Sequence, residues 1–214
     1  MRTATVHLID DEPSVLRSLE RLLTIEGYKV ASWSSPAEFL VHYDPEAPGC
    51  MVADLAMPGA DGLQLQAALN ARGCDPAIVF LTGHGDVSAS VRAMRAGAVT
   101  FLAKPVHQAD LIAAIEEALA RDEAARFTRL LRREIQARLS ALTHREREVF
   151  ERVIVGKLNK QIAAELGTAE KTVKVHRARV MNKMRARSVA ELVRLAAEIP
   201  ATSRPALRLL STGI

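Results

Sequence analysis

The chain has 214 residues, 49% hydrophobic and 25% charged, the size and balance of a globular protein of one large or two small domains. Its two cysteines, Cys50 and Cys74, give neither a disulfide framework nor a metal-ligand spacing, and each is expected to fill a reduced core or a strand edge. No basic-then-apolar leader opens Met1–Asp10 and no apolar run approaches about eighteen residues, so the expected compartment is the cytoplasm, with no membrane partner.

The first 120 residues alternate short apolar runs with helical patterns. Strands are expected at Thr5–Ile9, Tyr28–Ser32, Cys50–Leu55, Ala77–Leu81 and Val99–Leu102. Between them, helical spacing marks Pro13–Glu26, Pro36–Tyr43, Gly62–Ala71 and Asp86–Arg95, and a further helix begins at Ala109. Five such βα units predict an α/β doubly wound, five-stranded parallel sheet covered on both faces. No glycine or proline interrupts Ala109–Thr143, which predicts one long helix, or two with a slight break near Arg121–Ala125, serving as a linker and possible dimer seam. From Leu142 an all-α domain of four helices is expected. Thr143 and Glu146 form a capping box and Gly156 ends the first helix; Asn159 caps a short second one. After the Gly167-Thr168-Ala169 turn, Glu170–Met184 is the third helix and Ser188 opens the fourth. The expected organisation is therefore a domain at 1–120, a helical linker at 121–140, a helical domain at 141–199 and a disordered tail at 200–214.

Charge divides along the same line. Residues 1–120 hold 8 Lys+Arg against 15 Asp+Glu, a net −7, whereas 121–214 hold 21 against 10, a net +11. Only the second half is suited to a polyanion.

In a parallel sheet, functional groups collect beyond the carboxyl ends of the strands. Asp10 and Asp11 follow the first predicted strand, Asp54 ends the third, Thr82 follows the fourth and Lys104 follows the fifth, so four strand ends deliver polar groups to one edge. Like charges about 4 Å apart repel by roughly 4 kcal/mol at an effective dielectric near 20. A hard divalent cation offsets that, and a sparse carboxylate set fits Mg²⁺. An aspartate at such a site can act as a nucleophile and become an aspartyl phosphate, with the lysine and metal neutralising the transferred group.

Asp10–Asp11, Asp54 followed by Met57–Pro58 and Gly62, Leu81–Thr82–Gly83, and Lys104–Pro105 together resemble the receiver domain of two-component response regulators over nearly all of residues 1–120. The resemblance implies Asp54 as phosphoacceptor and Mg²⁺ held by Asp10, Asp11, Asp54 and the backbone carbonyl of Ala56. It implies Thr82 and Lys104 as partners of the phosphoryl oxygens and Phe101 as an aromatic switch that rotates inward as Thr82 moves. Read without the resemblance, Phe101 is simply a core residue. Ala56, where a longer side chain is common in that family, and His84 are expected to set the lifetime of the phosphorylated state.

In the basic half, a short helix, a glycine-containing turn and a longer helix form a helix-turn-helix unit. Val173, Val180 and Met184 make the inward stripe of the long helix, while Lys171, Thr172, Lys174, Arg177 and Arg179 offer donors to bases and phosphates. RNA is disfavoured because Phe127 and Phe150, the only aromatics of this half, are both expected in the core. Leu142-Thr143-x-Arg145-Glu146-x-Glu148-Val149, Asn159-Lys160-x-Ile162-Ala163 and Lys171-Thr172-Val173-Lys174-x-His176 resemble the DNA-binding domain of the LuxR and NarL regulators. With Leu81-Thr82-Gly83-His84-Gly85-Asp86, the whole chain is most similar to the FixJ subgroup. The resemblance implies Lys171, Lys174, Val175 and Arg179 as groove or phosphate contacts, His176 as a packing or phosphate-positioning residue, and Ser188–Ala197 as a dimerising helix.

The expected function is that of a transcriptional response regulator, not an enzyme beyond slow self-dephosphorylation. A sensor histidine kinase or small phosphodonor phosphorylates Asp54, and the phosphorylated chain dimerises, binds double-stranded promoter DNA and, as the resemblance implies, activates through RNA polymerase. Competing readings are a constitutive DNA-binding protein, a Mg²⁺-dependent aspartyl phosphatase and an adaptor acting through protein contacts. The intact acidic and lysine positions argue against the first, the lack of a further acid/base and substrate pocket against the second, and the complete helix-turn-helix against the third.

Overall fold

In the computed structural model, residues 4–59, 61–83 and 87–198 are described. They form two compact units, divided between Phe127 and Thr128.

The first unit contains β1 (Thr5–Ile9), α1 (Pro13–Ile25), β2 (Lys29–Trp33), α2 (Pro36–His42), β3 (Gly49–Asp54), α3 (Gly62–Ala71), β4 (Ile78–Thr82), α4 (Val87–Arg95) and β5 (Thr100–Ala103). The strands form one parallel sheet in the order β2-β1-β3-β4-β5. Period-two alternation sends Val6, Leu8, Cys50, Val52, Val79 and Leu81 into a core with α1 and the start of α5 (Gln108–Ser140). Ile9, Met51, Ala53, Ile78 and Phe80 face the other core, built with α2, α3 and α4. With both faces covered, the central strands read as continuous apolar runs. Cys50 is buried and reduced, its thiol pushed up to about 12 by burial. Cys74 is half-buried against the second of these cores.

α5 is a single 33-residue helix with no break at 121–125. Leu111, Ala114, Ile115 and Ala118 belong to the first unit's core, while Ile135 and Leu139 belong to the core of the second. The stretch expected as a linker is thus partly structural: its last turns contribute buried leucine and isoleucine to the helical domain. Phe127, expected in the core, is 70% exposed, because it falls between the two stretches of α5 that pack.

The second unit adds α6 (His144–Ile154), α7 (Asn159–Leu166), α8 (Glu170–Met184) and α9 (Val189–Ala197). Thr143 and Glu146 form the expected capping box, each side chain accepting from the other's backbone N–H. Asn159 is not the cap of α7. Leu158 holds that position, its N–H satisfied by Gln161 Oε1 at 2.8 Å, and Asn159 begins the helix. Gly167 ends α7 in the left-handed conformation, φ 61°, a backbone state that favours glycine and lets the chain turn into α8. Phe150, Val173, Val180 and Met184 are buried together, as expected. No helix among the described residues is long and apolar enough to cross a membrane. The expected tail, 200–214, lies outside the described residues, as does His84.

Candidate functional site

Backbone bonds between neighbouring strands set one edge of the sheet. Asp10 N donates to Trp33 O at 3.2 Å, Leu55 N to Leu81 O at 2.8 Å and Lys104 N to Thr82 O at 2.7 Å. The first ties β1 to β2 and the other two tie β3 and β5 to β4; with Ile9 paired to Ala53 between β1 and β3, residues far apart in sequence open onto the same edge. Gly62 is required just behind it. A Cβ there would lie 2.6 Å from Asp54 O and 2.7 Å from the Phe80 ring, so only glycine lets α3 start so close to the end of β3.

Asp10, Asp11 and Asp54 each offer a carboxylate oxygen, all within 4.8 Å of one another. Asp10 and Asp54 are 2% and 6% exposed, whereas Asp11 is open to solvent. Lys104 Nζ reaches both buried carboxylates, 2.8 Å from Asp10 Oδ2 and 3.1 Å from Asp54 Oδ1. Glu12 N gives Asp10 a second donor at 2.9 Å. Burial pushes the Asp54 carboxyl above its ordinary value; Lys104 and the Leu55 N–H pull it back and the charge of Asp10 pushes it further up. Burial alone would lower Lys104, but the hydrogen bonds and charges of Asp10 and Asp54 outweigh it and hold the ammonium above its ordinary value. Three hard oxygen donors, two shielded from water and one facing it, suit a small divalent cation that keeps part of its water shell.

The structure thus brings together Asp10, Asp11, Asp54 and Lys104, with Thr82 buried at the end of β4 and the exposed Ala56 just past β3. A cleft of ≈ 760 Å³ opens beside them, walled by Asp11, Ala56, Met57, Asp61, Thr82 and Arg92 among others. Sequence reasoning had not singled out Arg92, whose only signal was a cation on α4 at helical distance from the end of β4. Phe101 is 46% exposed, which corrects its reading as a core residue. β5 is a four-residue edge strand with alternating burial, and Phe101 stands on its open face. Beside it runs an apolar groove of ≈ 310 Å³ lined by Val91, Met94, Phe101, Ala103 and, at the acidic edge, Thr82.

In the second unit, Lys171, Thr172, Lys174, Val175 and Arg179 are exposed on α8. Lys174 lies 3.2 Å from Glu170, an exposed i,i+4 pair that is readily exchanged for another anion. Arg177 differs: it is half-buried and its Nη1 donates to Asn159 Oδ1 at 2.9 Å, tying α8 to α7. His176 is half-buried beside a cavity of ≈ 170 Å³ that also touches Arg145, Thr168 and Thr172, and its Nδ1 has no partner among the described residues. Leu192 and Ala196 of α9 are buried within their own domain, leaving Val193 on the exposed side of that helix.

Comparison with known proteins follows this division. Residues 6–116 match the response regulator receiver domain, and residues 140–196 match the luxR family of bacterial regulatory proteins. The chain is 45% identical to the transcriptional regulatory protein FixJ of Azorhizobium caulinodans over 89% of its own length and 90% of that protein. It is 44% identical to the tetrathionate response regulatory protein TtrR of Salmonella typhimurium, over 89% and 91%. Among solved structures it is similar to the response regulator StyR, with a TM-score of 0.82 at 43% identity, covering 92% of this chain and all of that one. Full-length FixJ from B. japonicum gives a TM-score of 0.56 at 39% identity, over 92% and 98%.

Proposed function

Because the chain belongs to the response regulators that join a receiver domain to a LuxR-type DNA-binding domain, a family of phosphorylation-switched transcriptional regulators, we propose that Asp54 is its phosphoacceptor and α8 its DNA-reading helix. One observation carries the first assignment: a single lysine, Lys104, bridges two buried carboxylates at the carboxyl edge of the sheet, with a third carboxylate beside them. Such a site is chemically poised, because charge that folding would otherwise exclude is held there by one movable cation.

Asp10, Asp11, Asp54 and the carbonyl of Ala56 would hold Mg²⁺, which when bound offsets the negative charge brought together by the donor and the carboxylates. An Asp54 oxygen attacks phosphorus, and the bond from phosphorus to the donor's leaving atom breaks. Lys104 leaves the Asp54 carboxylate for a phosphoryl oxygen, while the Thr82 hydroxyl donates to another. Drawn towards the phosphoryl group, Thr82 vacates its end of the apolar groove, and Phe101 turns inward to fill it. The face of α4, β5 and α5 is thereby changed and promotes a homodimer. About 3–5 kcal/mol of preference for the active form makes this a clear switch.

In the second unit, Lys171, Thr172, Lys174, Val175 and Arg179 contact bases and phosphates in the major groove, and Arg177 braces the helix through Asn159. α9 pairs two such domains on half-sites about one helical turn apart. The phosphodonor is a sensor histidine kinase, the output is activation through RNA polymerase, and the place of action is the cytoplasm. The chain is a regulator rather than an enzyme, its own chemistry limited to slow dephosphorylation, whose rate Ala56 and His84 set.

The test is promoter-DNA binding by the full chain with and without acetyl phosphate and Mg²⁺, alongside Asp54→Asn. Phosphodonor-dependent tightening and dimerisation that vanish in the variant are expected. Equal binding in every sample would instead leave a constitutive DNA-binding protein.

A further inference from the structure

Asp54 is almost fully buried, and the cleft beside it is where a small phosphodonor can approach. Its inner wall is Asp11, Ala56 and Thr82; Met57, Leu63 and Ala89 add apolar surface, and Arg92 of α4 is the single cation of its lining. Of the two carboxylates in the wall, Asp11 belongs to the acidic site and Asp61 is engaged as the cap of α3, accepting from Gln64 N at 2.7 Å. The Arg92 guanidinium has no ion pair among the described residues, in a cleft that otherwise carries carboxylates. Lys104 is already assigned to the phosphoryl oxygens and sits deep in the site, so Arg92 is free for a different part of the donor.

Resting on the assignment of Asp54 as phosphoacceptor, we propose that Arg92 is a specificity residue that receives the carboxylate leaving group of small acyl phosphates. In-line displacement places the leaving atom opposite the attacking Asp54 oxygen, on the open side of the site. With an acyl phosphate, the Asp54 oxygen forms its bond to phosphorus as the bond from phosphorus to the acyl oxygen breaks. The electron pair stays on that oxygen, and a carboxylate departs with no proton transferred. Negative charge therefore grows on the leaving group during the reaction, where a guanidinium stabilises it, in part through paired donation to both oxygens. The short acyl chain meets Met57, Leu63 and Ala89. With phosphoramidate the nitrogen is already protonated and leaves as neutral ammonia, so Arg92 has no developing anion to hold. Donor choice is the consequence: Arg92 favours acyl phosphates over phosphoramidates.

The experiment measures initial rates of Asp54 phosphorylation of the full chain with Mg²⁺, using acetyl phosphate and phosphoramidate in parallel. Wild type, Arg92→Gln and Arg92→Lys are compared, with Asp54→Asn as the blank. In Arg92→Gln the ratio of the acetyl phosphate rate to the phosphoramidate rate is expected to fall about tenfold, the scale of one partly solvated charge contact in a transition state. Arg92→Lys, which restores the charge but not the paired donors, is expected to recover part of that ratio. An equal fall with both donors would overturn the proposal, since it would mean that Arg92 holds α4 or the phosphoryl group itself. An unaltered ratio would overturn it as well. Failure of both donors to label wild-type Asp54 would reject the phosphoacceptor assignment, and this inference with it.

Discussion

Each unit of the molecule buries carboxylate charge against one lysine, and the two arrangements behave in opposite ways. In the first, Asp10 and Asp54 share Lys104, and burial pushes the Asp54 carboxyl up. In the second, Glu146 is only 2% exposed, yet its carboxyl is pulled down to about 2. The hydrogen bond from Lys183 Nζ, 2.6 Å away, is the largest cause, followed by the N–H of Thr143 in the capping box. Both are shielded from solvent, but burial is the largest influence on Asp54 and ranks behind the lysine and the backbone N–H at Glu146. Each has a lysine and a backbone N–H, but Lys183 divides itself between Glu146 and the neutral Ala141 carbonyl, whereas Lys104 is divided between Asp54 and a second carboxylate, Asp10. A fully satisfied buried charge is a strut, and an under-satisfied one is a site held ready for another cation or a phosphoryl group.

The strongest way to break this comparison is to remove the strut. Glu146→Ala leaves the Thr143 N–H without its acceptor and Lys183 with only the Ala141 carbonyl, and is expected to destabilise the second unit by about 3 kcal/mol. Trp33, Tyr28 and Tyr43, the only tryptophan and tyrosines of the chain, all lie in the first unit, so indole fluorescence follows that unit alone. Urea unfolding by far-UV circular dichroism should show an earlier helical transition in the variant, with the Trp33 transition in place. Joint movement of both would mean that α5 couples the units into one cooperative fold. The same pair gives a pH signature. A folded pKa depressed from 4.5 to about 2 contributes stability that is fully present above pH 4.5 and is lost as pH falls towards 2. The stability gap between wild type and Glu146→Gln should therefore narrow across that window and stay constant above it.

At the other site the sign reverses. A carboxyl raised above its ordinary value costs stability once ionised, at every pH above that range. Asp54→Asn removes one of two like charges and leaves Lys104 to Asp10, so in a chelating buffer it is expected to stabilise the first unit by about 1 kcal/mol. The Trp33 transition reads this directly. Millimolar Mg²⁺ should raise wild type more than the variant, since the variant has lost one anionic ligand. A destabilised Asp54→Asn in chelator would show that the Lys104 bond to Asp54 outweighs the repulsion from Asp10.

Much of this was legible in the sequence, for reasons that differ by residue. The carboxyl ends of the strands could be placed because the apolar runs ending at Ile9, Ala53 and Leu81 are each followed by a polar residue, Asp10, Asp54 and Thr82. Once the strands were parallel, their carboxyl ends had to converge, and Asp10, Asp54 and Lys104 with them. The outward Phe101 was not legible, because an aromatic on a short edge strand satisfies either face. Phe127 misled for a related reason: its spacing on α5 is that of a packed residue, but it stands largely exposed between the two stretches of the helix that pack. Asn159 looked like a cap by residue type alone, whereas its side chain is taken by Arg177. The Glu146–Lys183 pair joins residues 37 apart, and only the packing of α6 on α8 could reveal it.

Arg177 carries the last contrast, between basic residues of one helix. Val173, Arg177, Val180 and Met184 follow a four-three-four spacing, so Arg177 lies on the inward stripe and its partial burial follows from helical period. Arg179 stands on the exposed side. Arg179→Ala is expected to weaken DNA binding evenly across sequences and to reduce the slope of log K against log salt by about 1, as the loss of one phosphate contact does. Arg177→Ala should behave differently, costing about 1 kcal/mol of helical-domain stability through the lost Asn159 bond, with little change in slope. Salt titrations of promoter binding for the two variants separate the cases. If Arg177→Ala flattens the slope as much as Arg179→Ala, its guanidinium must leave Asn159 for phosphate when DNA is bound, and the bracing role belongs to the free protein alone.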